Sequence, residues 1–296
     1  MPELPETETI ARDLDGALRG AVIRSVEILR EDVLRDPVSG GRALTGSAAR
    51  SFSADVRRRL TDVQVVRVHR RAKSIVVSLA TADALVVTPR FTGALLLGAA
   101  EPSVPDRAAS ADAESYDCLR FALADGRRLT YRDIRRLGTV ALCTAPQLAT
   151  WDAALGPEPL DPALTPERFS GIVRGSNRPV KSILMDQRRL AGVGNIYANE
   201  ACFRAGLRPA RRGAAVSRAR ASSLLAALRV VLTESIALRG TTFRDFQDAY
   251  GGRGGFAARL QVYGRGGKPC LACGTPLRET HALEGRSTVW CPACQR

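Results

Sequence analysis

Cys270-Leu271-Ala272-Cys273 and Cys291-Pro292-Ala293-Cys294, with seventeen residues between the pairs, decide how the C-terminal end of this chain folds. Two Cys-x2-Cys knuckles at that separation set four thiolates around one tetrahedral ion, and zinc is the ion that fits such a closed site. A disulfide pair is the alternative, suited to an oxidising compartment. Gly274-Thr275-Pro276 reads as a turn, and Leu277 to Trp290 is long enough for a two-stranded hairpin that depends on metal for its folding. Four sulfur ligands leave no open position, so one structural zinc ion holds a shape and does not activate water. Arg286, in Glu284-Gly285-Arg286-Ser287-Thr288 near the hairpin tip, is suited to gripping a phosphate; a solvated turn arginine is the other reading. Cys118, Cys143 and Cys202 stand singly in apolar surroundings and read as core residues.

Working back from the knuckles, Gln247 to Phe256 is too rich in glycine for a regular element and reads as a mobile lid or slack chain. Before it, helix signals dominate: Thr165–Val173 with Pro166 at a first helical position, Val180–Gln187, Asn195–Ala205 and a long amphipathic run from Ser217 to Leu238. Leu190-Ala191-Gly192-Val193-Gly194-Asn195 joins two of these through a tight turn straight into a helix start. With Lys181 one helix earlier and Asn195 at the cap, the pattern suits a clamp on a backbone phosphate; an ordinary helix connection is the alternative. The texture changes near residue 150, just before Gly156-Pro157-Glu158-Pro159. Residues 20–145 instead show short apolar runs between turn residues, with Asp125-Gly126 as a hairpin signal, which predicts a β-sandwich or barrel. Within them, Gly98–Asp117 reads as a surface loop.

The chain opens Met1-Pro2-Glu3-Leu4-Pro5-Glu6. Ile10, Leu14 and Leu18 repeat on one helical face and Gly20 sits where a helix would stop, so a helix over 5–19 is expected, with Glu6 and Glu8 answering its dipole. A chemical reading lies beside the structural one. Loss of Met1 makes Pro2 a secondary terminal amine, and an α-amino group, with a pKa near ~8, is partly neutral at neutral pH. Its adduct with a sugar aldehyde carbon is an iminium, an electron sink that favours elimination, and Glu3 can protonate the opening sugar.

At 296 residues the chain has room for two domains and an appendage. Its charge of +14, carried almost wholly by arginine, points to nucleic acid ahead of an anionic membrane or a merely basic proteome. Aromatic content of 5% argues against a stacking platform for single strands, so duplex contact through phosphates fits better. Two histidines, His69 and His281, leave little material for a histidine-based triad or metal site. No apolar run of membrane-spanning length and no signal-peptide layout appear, so a cytoplasmic, nucleoid-associated protein of bacterial type is expected, without a membrane partner and as a monomer.

Pro2-Glu3-Leu4-Pro5-Glu6, Arg70-Arg71-Ala72-Lys73, Asp133-Ile134-Arg135-Arg136-Leu137-Gly138, Gly192 to Glu200, Gln261-Val262-Tyr263-Gly264-Arg265 and the four-cysteine hairpin, in that order, resemble the formamidopyrimidine-DNA glycosylase family. The sister branch is endonuclease VIII, and Leu4 and the Gly192–Ala198 segment place the chain nearer the formamidopyrimidine branch. The resemblance implies an α+β multidomain chain. Residues 1–150 would form an N-terminal β-sandwich, 151–258 a helical helix-two-turn-helix domain and 259–296 a zinc β-hairpin, with damaged double-stranded DNA between the two larger domains. It implies an enzyme of base excision repair that removes oxidised purines through a Pro2 Schiff base and then cuts the strand by β,δ-elimination. By position, Pro2 would be the nucleophile, Glu3 the acid and Glu6 a supporting carboxylate. Lys73 would assist β-elimination and Arg286 δ-elimination.

The same resemblance implies DNA contacts at Phe91, Tyr116, Arg135, Arg136, Leu137, Lys181, Asn195 and Tyr263. A base inside a duplex must be flipped before it can be reached, and the family fills the gap with a side-chain trio, here Phe91, Arg135 and Leu137. Arg135 would also read the orphaned base. The sequence departs from the family pattern in this region: methionine is usual at 91, phenylalanine at 137, His-Leu-Gly at Thr88-Pro89-Arg90, and a histidine near Tyr116. Ser176-Asn177 replaces a basic pair, and one extra residue lies between the knuckles. These changes bear on lesion and opposite-base preference. The same chemistry on oxidised pyrimidines or abasic sites, a damaged-DNA binding protein without catalysis, and an RNA-binding zinc-ribbon protein stand as alternatives.

Overall fold

The computed structural model describes residues 2–36, 45–99 and 115–296. Met1 and most of the Gly98–Asp117 segment lie outside them. The chain forms two compact units, one of Met1–Ala153 with Arg239–Gly254 and one of Ala154–Leu238 with Gly255–Arg296. The resemblance implies that 239–254 goes with the helical domain and that the cysteine hairpin is a domain of its own. In the structure Phe246 and Ala249 join the core of the first unit, and the hairpin lies in the same unit as the helices between Pro166 and Ala237.

In the first unit, α1 (Leu4–Leu18) starts on a reciprocal capping box between Glu3 and Glu6, with a proline in its first turn, and ends before Gly20 at φ +82°. Ile10, Leu14 and Leu18 are buried, as their spacing requires. Among the described residues eight antiparallel strands follow: β1 (Val22–Ile28), β2 (Val63–Arg71), β3 (Ser74–Leu79), β4 (Ala84–Thr88), β5 (Gly93–Gly98), β6 (Asp117–Leu123), β7 (Arg128–Asp133) and β8 (Thr139–Cys143). The order is β5-β7-β6-β1-β2-β3-β4-β8. A short β1–β2 pairing, Val22 with Gln64 and Ile23 with Val63, joins two four-stranded halves. Val26, Phe121 and Tyr131 of one half share a single buried cluster with Ile75, Val87 and Val140 of the other, which is the interior of a sandwich. Among the described residues, the helices α2 (Gly46–Arg59) and α3 (Ala145–Ala153) flank the strands. Sequence periodicity missed α2, because its buried face is only Ala49, Ser53 and Val56 in an arginine- and serine-rich segment.

The second unit contains α4 (Pro166–Arg174), α5 (Val180–Met185), α6 (Asn195–Arg204), α7 (Arg218–Ala237) and a hairpin of β9 (Arg278–Thr280) and β10 (Thr288–Trp290). Thr165 and Ser217 cap α4 and α7 by accepting the N–H groups of Arg168 and Arg220. Leu224, Leu228, Val231 and Leu232 bury one face of α7. Val262, Cys270, Leu277, Val289 and Cys291 make a small core under the hairpin.

Candidate active site and nucleic-acid interface

At the amino end the backbone is held by side chains of its own first turn. Pro2 and Glu3 are both buried. Glu6 Oε2 accepts the Glu3 N–H at 2.8 Å, and its Oε1 accepts the N–H of Thr241 at 2.7 Å. Thr7 donates its hydroxyl to the Glu3 carbonyl at 2.8 Å. Glu6 thus spans the start of α1 and the returning segment, and it fixes the direction in which the chain leaves the helix toward Pro2. Gly240, at φ +85°, makes room for it: a Cβ there would stand 2.9 Å from Glu6 Cγ.

One turn along α1, Glu8 receives Arg70 Nε at 2.8 Å, and another nitrogen of Arg70 donates to the Ala72 carbonyl at 3.0 Å. Burial alone would raise the Glu8 carboxyl, but Arg70 and Arg12 outweigh it and hold the group below the ordinary glutamate value. Ala72 and Lys73 form the two-residue turn between paired Arg71 and Ser74, with Ala72 at φ +54°. Arg71 is paired with Asp152. The half-buried Lys73 is therefore presented by a turn that Arg70 ties to the same helix as Glu3.

Phe91, Tyr116, Arg135, Arg136 and Leu137 are all exposed. The Arg135 guanidinium lies 5.3 Å from the centre of the Phe91 ring, a cation–π arrangement, and Arg136 pairs with Asp32 at 3.0 Å. Ile134, not singled out from sequence, is exposed in the same loop. Arg90 occupies φ +54°, a left-handed position at the site where the family pattern has glycine.

In the second unit Asn195 is the first residue of α6, and Gly194 takes the cap position expected for it. Lys181, expected to hold a phosphate, stands in the first turn of α5. It is 1% exposed, and its ammonium donates to the Ser287 carbonyl at 2.8 Å and the Thr288 hydroxyl at 2.6 Å. The lysine stem runs inward from a buried helix, so its charge braces the hairpin next to Arg286. Asn199 accepts the Val289 N–H at 2.8 Å and Arg178 pairs with Glu284 at 2.9 Å, bracing the same element. Arg286 is exposed in a turn where Glu284 and Gly285 have positive φ. Glu200 accepts the backbone N–H groups of Gln261, Val262 and Tyr263, each at 2.9 Å, and so shapes the segment bearing Tyr263. Burial pushes its carboxyl up from the ordinary value, against the pull of those donors. Sequence reading passed over this role, although an acid inside the buried Ile196–Ala201 face was its signal.

The ligand sulfurs of Cys270, Cys273, Cys291 and Cys294 all lie within 4.8 Å of one another. A tetrahedral ion with Zn–S bonds of about 2.3 Å needs sulfurs about 3.8 Å apart, so the cluster fits a metal of that size.

Residues 1–140 match the model of the formamidopyrimidine-DNA glycosylase N-terminal domain, and residues 155–247 match that of the formamidopyrimidine-DNA glycosylase H2TH domain. The chain belongs to the formamidopyrimidine-DNA glycosylase family. A family member from Thermomicrobium roseum is 41% identical over 305 aligned residues, covering 100% of this chain and 99% of the relative. Among solved structures of the family, the MutM (Fpg) protein of Thermus thermophilus superposes with a TM-score of 0.79 at 34% identity, covering 99% of this chain and 98% of that one. A point mutant of the Lactococcus lactis Fpg, in complex with DNA containing Fapy-dG, superposes with a TM-score of 0.84 at 26% identity, with 100% of both chains covered.

Proposed function

We propose that this family member is a bifunctional DNA glycosylase and abasic-site lyase that excises oxidised purines, 8-oxoguanine and formamidopyrimidines, from double-stranded DNA. The reading rests on one arrangement: Pro2 at the head of α1, with Glu3 and Glu6 interlocked behind it and Glu6 anchored to Thr241. With Met1 removed, the Pro2 nitrogen attacks C1′ of the lesion nucleotide as the damaged base departs, and Glu3 protonates the ring oxygen as the sugar opens. The resulting iminium withdraws electrons from C2′, whose proton is lost as the 3′ phosphate leaves. A second elimination expels the 5′ phosphate. Lys73 assists the first elimination and Arg286 the second, each as a cation beside phosphate oxygens.

Phe91, Arg135 and Leu137 fill the place of the flipped nucleotide, while Asn195, Tyr263, Arg136 and Tyr116 contact the duplex. The four thiolates hold zinc, which supplies shape to the hairpin and takes no part in bond making. Activity on oxidised pyrimidines is a second reading, favoured by Phe91 and Leu137 where the family pattern has methionine and phenylalanine.

Borohydride trapping tests the proposal. Duplexes carrying 8-oxoguanine, an oxidised pyrimidine or an abasic site are mixed with chain from which Met1 has been removed. A covalent complex is expected with wild type and absent with Pro2→Ala, with fastest excision from the 8-oxoguanine duplex. Binding without trapping on any duplex would leave a DNA-binding protein with unused catalytic residues.

A further inference from the structure

The turns that carry Phe91 and Arg135 are distant in sequence, yet one buried carboxylate joins them. Asp133, at the end of β7, has no exposed surface. Its Oδ1 accepts the Thr92 hydroxyl at 2.5 Å and the Arg135 N–H at 3.2 Å, and its Oδ2 accepts the Gly138 N–H at 2.7 Å and the Tyr131 hydroxyl at 3.3 Å. Thr92 Oγ1 in turn accepts the Arg135 N–H at 3.0 Å. Both ends of the 133–138 loop therefore close on the carboxylate that also grips the 89–93 turn.

Little slack remains around this lock. A Cβ on Gly138 would lie 1.9 Å from the Tyr131 hydroxyl oxygen, and one on Gly93 would lie 2.5 Å from the Pro89 carbonyl oxygen. Four large side chains nevertheless stand in solvent around it: Phe91 at 43% exposure, Tyr116 at 42%, Ile134 at 49% and Leu137 at 42%. Apolar side chains clustered in water over a fully hydrogen-bonded base mark a surface built to be covered. A loose loop would lose its conformational freedom at binding, which weakens affinity; a braced one has already lost it during folding.

We infer that Thr92 and Asp133 are positioning residues that assemble Phe91, Arg135 and Leu137 into a wedge before DNA arrives, and that the Phe91 ring sets the Arg135 guanidinium for reading the unpaired partner base. The inference rests on the reading above that these side chains enter the stack. Thr92→Val keeps the shape of the side chain but removes its bonds to Asp133 and Arg135, whereas Thr92→Ser restores the hydroxyl. Two substrates separate a wedge defect from a general one: a paired 8-oxoguanine duplex, whose stack must be filled, and a single-stranded oligonucleotide with an abasic site, which has no stack to fill.

The expected result is that Thr92→Val slows single-turnover excision from the duplex at least tenfold while changing borohydride trapping on the single strand less than twofold, with Thr92→Ser close to wild type. Phe91→Leu should change the ratio of excision rates opposite cytosine and adenine at least fivefold. Equal losses on both substrates, no loss on either, or an unchanged ratio for Phe91→Leu would overturn the inference. Wild-type chain that traps on neither substrate would instead sink the glycosylase reading beneath it.

Discussion

Gly240→Ala places one methyl group against the carboxylate that organises the amino end, and its cost follows from the geometry. At φ +85° an alanine sits in the left-handed region, which costs a residue with a Cβ about 1–2 kcal/mol. The new Cβ would lie 2.9 Å from Glu6 Cγ, 3.0 Å from Glu6 Oε1 and 3.3 Å from Glu6 Cα. The Cα is fixed in the first turn of α1, so the carboxylate must swing away and release the Thr241 N–H now held at 2.7 Å. Loss of a hydrogen bond to a charged group adds about 1.5–3 kcal/mol. Together these give about 2.5–5 kcal/mol, at the upper end of what one substitution does. The chain has two tryptophans, Trp151 and Trp290, so in a Trp290→Phe background Trp151 fluorescence follows the first unit alone. With a urea m-value near ~2 kcal/mol/M, the midpoint should fall by about 1–2.5 M. Borohydride trapping should fall with it even in native buffer, because Glu6 no longer holds the Glu3 backbone. A midpoint shift under about 0.3 M would refute the packing argument. Unimpaired trapping in a destabilised variant would refute the positioning role of Glu6.

Four further outcomes are expected. Arg70→Met should lower the trapping rate about tenfold while duplex binding changes less than threefold, since it unties the Lys73 turn from Glu8; parallel losses in both would point to unfolding. The Glu8 carboxyl lies below its unfolded value of about 4.3, so its stabilising contribution is complete above that pH and fades as acid is added below it. Glu8→Gln should accordingly flatten the drop in urea midpoint between pH 5.5 and pH 3, and a drop as steep as wild type would contradict the linkage. Arg90→Gly relieves a left-handed arginine and should raise stability by up to about 1 kcal/mol, seen as a thermal midpoint higher by about 2 °C; a lower midpoint would show that Arg90 makes compensating contacts. Metal analysis should find one zinc per chain. Chelation should alter Trp290 emission and weaken duplex binding at least tenfold while leaving Trp151 unchanged, and a metal-free chain that binds as tightly as before would remove the hairpin from the interface.

What was legible in the sequence is what neighbouring residues decide. Four cysteines at fixed spacing are a ligand set wherever the chain runs, and the sulfurs do meet. The apolar period of Ile10, Leu14 and Leu18 and the acids before it specified α1 to within a residue at each end, because capping and burial act within one or two turns. Asp125-Gly126 marked the β6–β7 turn because only a flexible residue takes the φ of +87° found at Gly126. Residue type alone could not place Lys181: a lysine before a helix turn suggests a phosphate, and only the fold shows that its ammonium donates to the hairpin. Gly240, Thr241 and Thr92 carried no local signal, and Asp133 entered only as the first residue of a motif, without a role of its own. Their roles come from partners distant in sequence or at the far end of a loop, and a carboxylate becomes a brace only when the fold brings donors to both its oxygens. The sequence by itself thus determined the four-cysteine cluster, most of the elements and the residue types at the amino end. The tertiary structure alone decided which side chains hold the amino-end residues in place, since such contacts depend on distance in space and not on spacing along the chain.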